Sequence, residues 1–123
     1  MEDDRQDIPI RTLYRIVWDD PPTESDFLSY LEMGRDPGKD PEWNRLASGL
    51  SVYSDLAYAR KKAARLPWKS NCFIAEIRLP EGHPFTIEQT GPNGKHYTVW
   101  GDGEVLRSMI SRILPARRGD TDV

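Results

Sequence analysis

Arg15, Ser51, Tyr53, Glu76, His96 and Tyr97 stand at or near the ends of candidate strands, where a sheet opens into a cleft. Arg15 offers a planar fork of donors that suits a phosphate or sugar oxygen, and its charge persists at any physiological pH. The competing role is a surface ion pair with Asp19 or Asp20. Tyr53 and Tyr58 are a pair of rings able to sandwich an aromatic ligand by offset stacking, or core residues beside a helix start. His96 titrates near neutral pH and suits general acid or base chemistry, or is a satisfied residue on a hairpin strand. Ser51 supplies a hydroxyl donor or caps a local turn. For His83, set between Gly82 and Pro84, a turn is expected and no role. No phosphate-cradling glycine loop, nucleophile elbow or metal-binding helix motif occurs, so the common enzyme classes lack their signatures.

Those residues need a scaffold, and 123 residues allow one domain. The 37% hydrophobic content, with four Trp, five Tyr and three Phe, suffices for one core. The acidic start Met1-Glu2-Asp3-Asp4 and the lack of a long apolar run predict neither signal peptide nor membrane helix, hence no membrane partner and a cytoplasmic setting. One cysteine, Cys72, excludes an internal disulfide, and with two histidines it is poor material for a structural metal. Residues 1–58 carry 13 acids and 6 bases, residues 59–123 carry 7 acids and 11 bases, and the net charge is −3. Arg60, Lys61, Lys62, Arg65 and Lys69 form the densest basic run, read as a solvated helix face or as a contact for nucleic acid or an acidic partner.

Thr12 to Trp18 reads as a strand stopped by Asp19-Asp20-Pro21-Pro22. Thr23, with Asp26 three residues on, starts an expected amphipathic helix through Phe27, Leu28 and Leu31 that stops at Gly34. Residues 35–44 carry loop chemistry pinned by Trp43. A brief strand at Leu50, Val52 and Tyr53 leads to a helix capped by Ser54 or Asp55, with Leu56, Ala59, Ala63 and Leu66 inward and Pro67 as its end. Cys72 to Leu79 is the clearest strand, its second half expected to be half exposed. Residues 85–90 and 96–100 flank Asn93-Gly94 and predict a hairpin. From Asp102 the period fits a final helix to Leu114, while Met109, Ser111 and Ile113 alternate with Ile110, Arg112 and Leu114 as a strand would. Both readings stay open.

Leu13-Tyr14-Arg15, then Gly49-Leu50-Ser51-Val52-Tyr53 before an alanine-rich helix, then Ile74-Ala75-Glu76-Ile77, then Lys95-His96-Tyr97-Thr98-Val99-Trp100 resemble the ADP-ribosyltransferase-like superfamily. The chain is also similar to short bacterial proteins with GLSVY-like and HYTVWGD-like strings. The likeness covers about two thirds of the chain, in pieces of three to six residues. In the poly(ADP-ribose) polymerase and diphtheria-toxin branch an LxHG strand gives a histidine to NAD, and Arg15 stands at that position. Val52-Tyr53 matches the GxYF strand, and Lys95 to Trp100 resembles the NEYxVY motif with His96 in place of the glutamate. The arginine branch uses an Arg, a Ser and a late glutamate, of which Arg15 and Ser51 fill the first two. The RNA 2′-phosphotransferases hold phosphates with arginines and a histidine.

The expected architecture is a single α+β domain over residues 8–115, with a small, split, mostly antiparallel sheet and two or three short helices, flanked by flexible residues 1–7 and 116–123. The resemblance implies an NAD or nucleotide cleft that, if catalytic, breaks the nicotinamide glycosidic bond and modifies a protein or nucleic acid. In it Arg15 and His96 are catalytic, and Arg15, Ser51, Tyr53 and Tyr58 bind NAD as substrate. Glu76, Asp102 and Glu104 are the carboxylates able to replace the missing acid. The alternative is a non-catalytic module that holds a protein partner, as in a toxin–antitoxin or phage-defence system, through Trp18, Trp43, Trp68 and Trp100.

Overall fold

The structure, a computed structural model, describes residues 11–66, 72–92 and 94–116. Its strands are β1 (Arg11–Val17), β2 (Leu50–Tyr53), β3 (Phe73–Leu79), β4 (Thr86–Gln89), β5 (His96–Trp100) and β6 (Ile110–Pro115). Between them lie a 3-10 turn (Glu24–Phe27) and the helices α1 (Pro41–Ala47), α2 (Leu56–Ala63) and α3 (Gly103–Arg107). The strands form one antiparallel sheet in the order β4-β5-β2-β1-β3-β6. The expected α+β fold is therefore present. The seven pairs that join β1 to β3 contrast with the single pair, Tyr14 with Tyr53, that joins β1 to β2. The sheet is thus two well-laddered halves joined by a single ladder pair.

Alternation along the strands builds a core on each face. Leu13, Val17, Leu50, Val52, Ala75, Ile77, Leu79 and Val99 pack with Phe27 and Leu106 on one face. Tyr53, Ile74, Cys72 and Ala116 meet Ala59 and Ala63 of α2 on the other. Ala116, assigned by the sequence to a loose tail, is buried in this second core. Residues 1–10 and 117–123 lie outside the described residues, as do Trp68 and Lys69. Asp55 caps α2 by accepting from Ala57 N and Tyr58 N, as its sequence position implies.

Three expectations change in the structure. The helix from Thr23 to Gly34 is only a four-residue 3-10 turn, after which Leu28 is extended. Asp26 does close the turn by accepting from Thr23 N, but its other oxygen takes the N–H of Trp18, and Phe27 is driven into the core. Gly103 lies so close over the Phe27 carbonyl that a side chain there would collide with it. The loop expected at 35–44 is present only over 35–40, since α1 starts on Asp40 as N-cap with Pro41 in the first turn. The final helix predicted by period ends at Arg107, and the alternative is realised, because Ile110 to Pro115 completes the ladder beside β3.

The hairpin pairs β4 with β5 and closes with Thr90 N donating to His96 O. Its turn is a five-residue loop with positive φ at Gly91 and Gly94, while Asn93 lies outside the described residues. Among the described residues no helix is long and apolar enough to cross a membrane.

Candidate functional site

The sheet is weakest where the candidate residues meet. Continuing the β1–β2 register past Tyr14 and Tyr53 would set Ser51 opposite Ile16, but the ladder stops and the guanidinium of Arg15 bridges the gap. Arg15 Nη1 donates to Ser51 O at 2.7 Å and Nε donates to Asp26 O at 2.9 Å, with the group 5.3 Å from the Phe27 ring centre. Arg15 thus turns inward to carbonyls, and the expected surface pair with Asp19 or Asp20 does not form. Burial lowers its pKa to about 10, opposed by the nearby Asp26, so it remains a cation at neutral pH. Three of its five N–H groups keep no partner among the described residues.

Ser51 also reaches the other way. His96 Nε2 lies 3.1 Å from Ser51 Oγ, and His96 Nδ1 faces Thr90 through both Oγ1 at 2.9 Å and the carbonyl O at 3.3 Å. Thr90 Oγ1 continues to Thr98 Oγ1 at 2.8 Å. A carbonyl only accepts, so its approach to Nδ1 favours the tautomer with the proton on Nδ1 and a lone pair on Nε2. Burial pushes the His96 pKa below the usual histidine value, and Lys62 adds to this while the Thr90 hydrogen bond opposes it, leaving the imidazole neutral at pH 7. The Tyr53 ring meets the imidazole edge-on at 5.4 Å.

Arg15, Ser51 and His96 open onto one cavity of about 310 Å³, whose floor is β2 and β5 and whose walls are Leu28 to Tyr30, Trp43, Leu46 and Ala47, and Thr90 and Gly91. Arg15 is the one permanently charged residue lining it among the described residues. Arg15 and Ser51 also border a second cavity of about 360 Å³ with Tyr53, Asp26, Trp18, Tyr30 and Met33. The α1 wall is held in place from outside. Trp100 Nε1 donates to Arg45 O, Arg45 pairs with Glu42 and Glu88, and Leu31 N donates to Ala47 O. At Gly49, where α1 turns into β2, a Cβ would stand 2.5 Å from Thr98 Cγ2, so a side chain there would push the wall off the floor.

Arg15, Ser51 and His96 thus share one cavity, but Tyr53 and His96 do not line the same one, and not every expected residue joins them. Tyr53 lines the second cavity, while Tyr58 lines neither, since its ring packs on Tyr53 at 5.7 Å and fills the space a sandwiched ligand would need. None of the expected carboxylates arrives. Glu76 is bound by Ser111 and Arg112, Asp102 caps α3, and Glu104 pairs with Arg107. Among the described residues no group of three or more His, Cys, Asp or Glu is placed to hold a metal. Arg60 of the basic run donates to Pro115 O, while Lys61 is exposed. His83 stays in its turn, accepting from Phe85 N.

Sequence reasoning missed Thr90, which orients His96, and the Tyr30 and Met33 part of an apolar rim of which Trp18 and Trp43 were expected. Tyr30 is 52% exposed, Met33 51%, Trp18 38% and Trp43 37%, and all four border one or both cavities. Thr90 gave no signal, but Tyr30 and Trp43, aromatic residues in turn-rich segments, were legible as surface aromatics. In comparison with known proteins, no family model, no curated protein and no solved structure matches the chain.

Proposed function

We propose that this domain binds a phosphate-bearing nucleotide, with NAD as the reference ligand, in the double cavity around Arg15. The observation that carries the reading is Arg15 itself: a half-buried cation with donors to spare at the meeting point of two chambers with largely apolar walls. A dinucleotide has the matching form, two ring systems joined by a pyrophosphate. Arg15 would take the pyrophosphate, Tyr30 and Trp43 would flank a ring on one side, and Tyr53 would touch a ring on the other. Ser51 and His96 would supply the polar contacts to ribose or phosphate. This use agrees with the ADP-ribosyltransferase-like resemblance for Arg15, Ser51 and Tyr53. It departs from that resemblance in chemistry, because no carboxylate lines the first chamber to stabilise an oxocarbenium-like state.

A non-catalytic protein-binding module is the second reading, and the exposed rim of Trp18, Tyr30, Met33 and Trp43 supports it. Calorimetry separates the two. Saturable NAD binding, weakened at least tenfold in Arg15→Lys with the fold verified by circular dichroism, supports the nucleotide site. A folded wild-type protein that binds neither NAD, ADP-ribose nor RNA overturns it in favour of a protein partner.

A further inference from the structure

We infer, building on the phosphate-bearing ligand proposed above, that Ser51 and His96 are a nucleophile and its general base directed at a phosphorus atom of that ligand. The hydroxyl is exposed on the cavity, and the 3.1 Å contact with Nε2 is within reach for proton transfer. The other ring nitrogen is fixed by Thr90, whose carbonyl and hydroxyl both face Nδ1, so the base is oriented by a third group as the nucleophile requires. That third group is neutral, which makes Thr90 a positioning residue. Arg15, hydrogen-bonded to the carbonyl of the same serine, is the cation beside the attack position and faces the charge that grows on the non-bridging phosphate oxygens.

The step balances without a metal or redox partner. The Ser51 proton passes to His96 Nε2 as Oγ bonds to phosphorus, and the phosphorus–oxygen bond of the anhydride breaks. Its electron pair stays on the departing phosphate oxygen, which takes the proton back from Nε2. Ser51 is left as a phosphodiester carrying one nucleotide, and a nucleoside monophosphate departs. Water then attacks the same phosphorus with His96 again as base, which releases the second monophosphate and restores the serine. The net reaction is hydrolysis of a pyrophosphate linkage, a different bond from the glycosidic one that the family resemblance implies.

A fluorophosphonate probe tests the nucleophile without any nucleotide, since Oγ displaces fluoride from phosphorus. Labelling is expected on Ser51 by peptide mass spectrometry, absent in Ser51→Ala, and slowed about a hundredfold or more in His96→Gln. Incubation with NAD is expected to yield AMP and nicotinamide mononucleotide, or a nucleotidyl adduct on Ser51. NAD calorimetry on Ser51→Ala keeps the two levels apart. If NAD binds that variant and the wild type while the wild type shows neither probe labelling nor cleavage, the inference falls and the binding site stands. If the probe labels Ser51 but NAD does not bind, the nucleophile stands and the ligand assignment falls. Equal labelling rates in wild type and His96→Gln remove the base and overturn the pair.

Discussion

The sheet carries a second polar cleft, over β1, β3 and β6, and its contents differ from those around Arg15. That groove, about 420 Å³, is lined by Thr12, Tyr14, Glu76, Arg78, Ser111 and Arg112, with no aliphatic wall. Arg112 Nε meets Glu76 at 3.0 Å and Ser111 Oγ donates to the same carboxylate at 2.7 Å, so the charges largely satisfy one another. Each of the two chambers at Arg15 is smaller, but their walls are largely apolar and the cation is hydrogen-bonded to carbonyls, with no carboxylate oxygen among its hydrogen-bond partners. Volume and number of charges therefore do not make a site. Apolar walls around a polar group with unused donors do.

The largest test of this contrast is the loss of each arginine. Arg15→Met strips charged donors from Ser51 O and Asp26 O and removes the bridge where β1 and β2 part, so a loss of about 3 kcal/mol or more is expected in chemical denaturation. Arg112→Met removes one end of a solvent-screened pair and is expected to cost under about 1 kcal/mol. Similar losses for the two would break the comparison.

The halves of the molecule differ in how openly the sequence announces them. The hairpin, β3 and α2 were legible because strict alternation, Gly94, and the Asp55 cap are local signals that packing did not overrule. Residues 23–47 were not. There Phe27, Leu28 and Leu31 mimic a helical period, yet one enters the core and the next lines the cavity, while Pro41 hid a helix start that its neighbour Asp40 should have revealed. The end of the chain was ambiguous because residues 109–114 satisfy both periods, and only the open edge of β3 decides. The same holds for the site. Arg15, Ser51 and His96 were legible by chemistry, whereas Thr90 and the lack of a carboxylate in the first chamber depend on register and on partners elsewhere in the fold.

Acid separates the two regions next. His96 is held below its ordinary value of 6.5 mainly by burial, so the unfolded chain binds the proton more readily than the folded one. Its contribution is complete above about pH 6.5 and is lost as pH falls through the lower folded value. The groups facing it are Tyr53 from β2, Lys62 from α2 and Thr90, and Lys62 opposes a positive charge on the ring. Glu76 behaves in the same sense but later. Burial pushes it up, yet Ser111, Arg112 and Arg78 bring it below its usual 4.5, so its contribution is present above about pH 4.5 and is lost at still lower pH. Thermal melts are expected to drop in two stages, the first missing in His96→Gln and the second in Glu76→Gln. One shared stage would mean that the clefts titrate as a unit.

A smaller effect is expected at the rim. Trp43→Ala and Tyr30→Ala alter exposed rings, so stability should shift by less than about 1 kcal/mol, while NAD affinity falls severalfold if the rings flank the ligand. A partner protein captured by the same rings would lose affinity in both variants with no change in NAD titrations.

The smallest effect is expected from Glu76→Gln at neutral pH. The amide keeps an acceptor for Ser111 and gives up only the charge that attracts Arg112, whose side chain is 60% exposed, so a change within about 1 kcal/mol follows. Glu76 is also in line with Arg15 along the sheet, as its partner in the β1–β3 ladder is Tyr14, next in sequence to Arg15. If the β1–β2 gap isolates the cavity from that ladder, NAD titrations and probe labelling of Ser51 in Glu76→Gln will match the wild type. A shift in either would mean that the groove acts through β1 on Arg15, and that the two clefts are ends of one polar system.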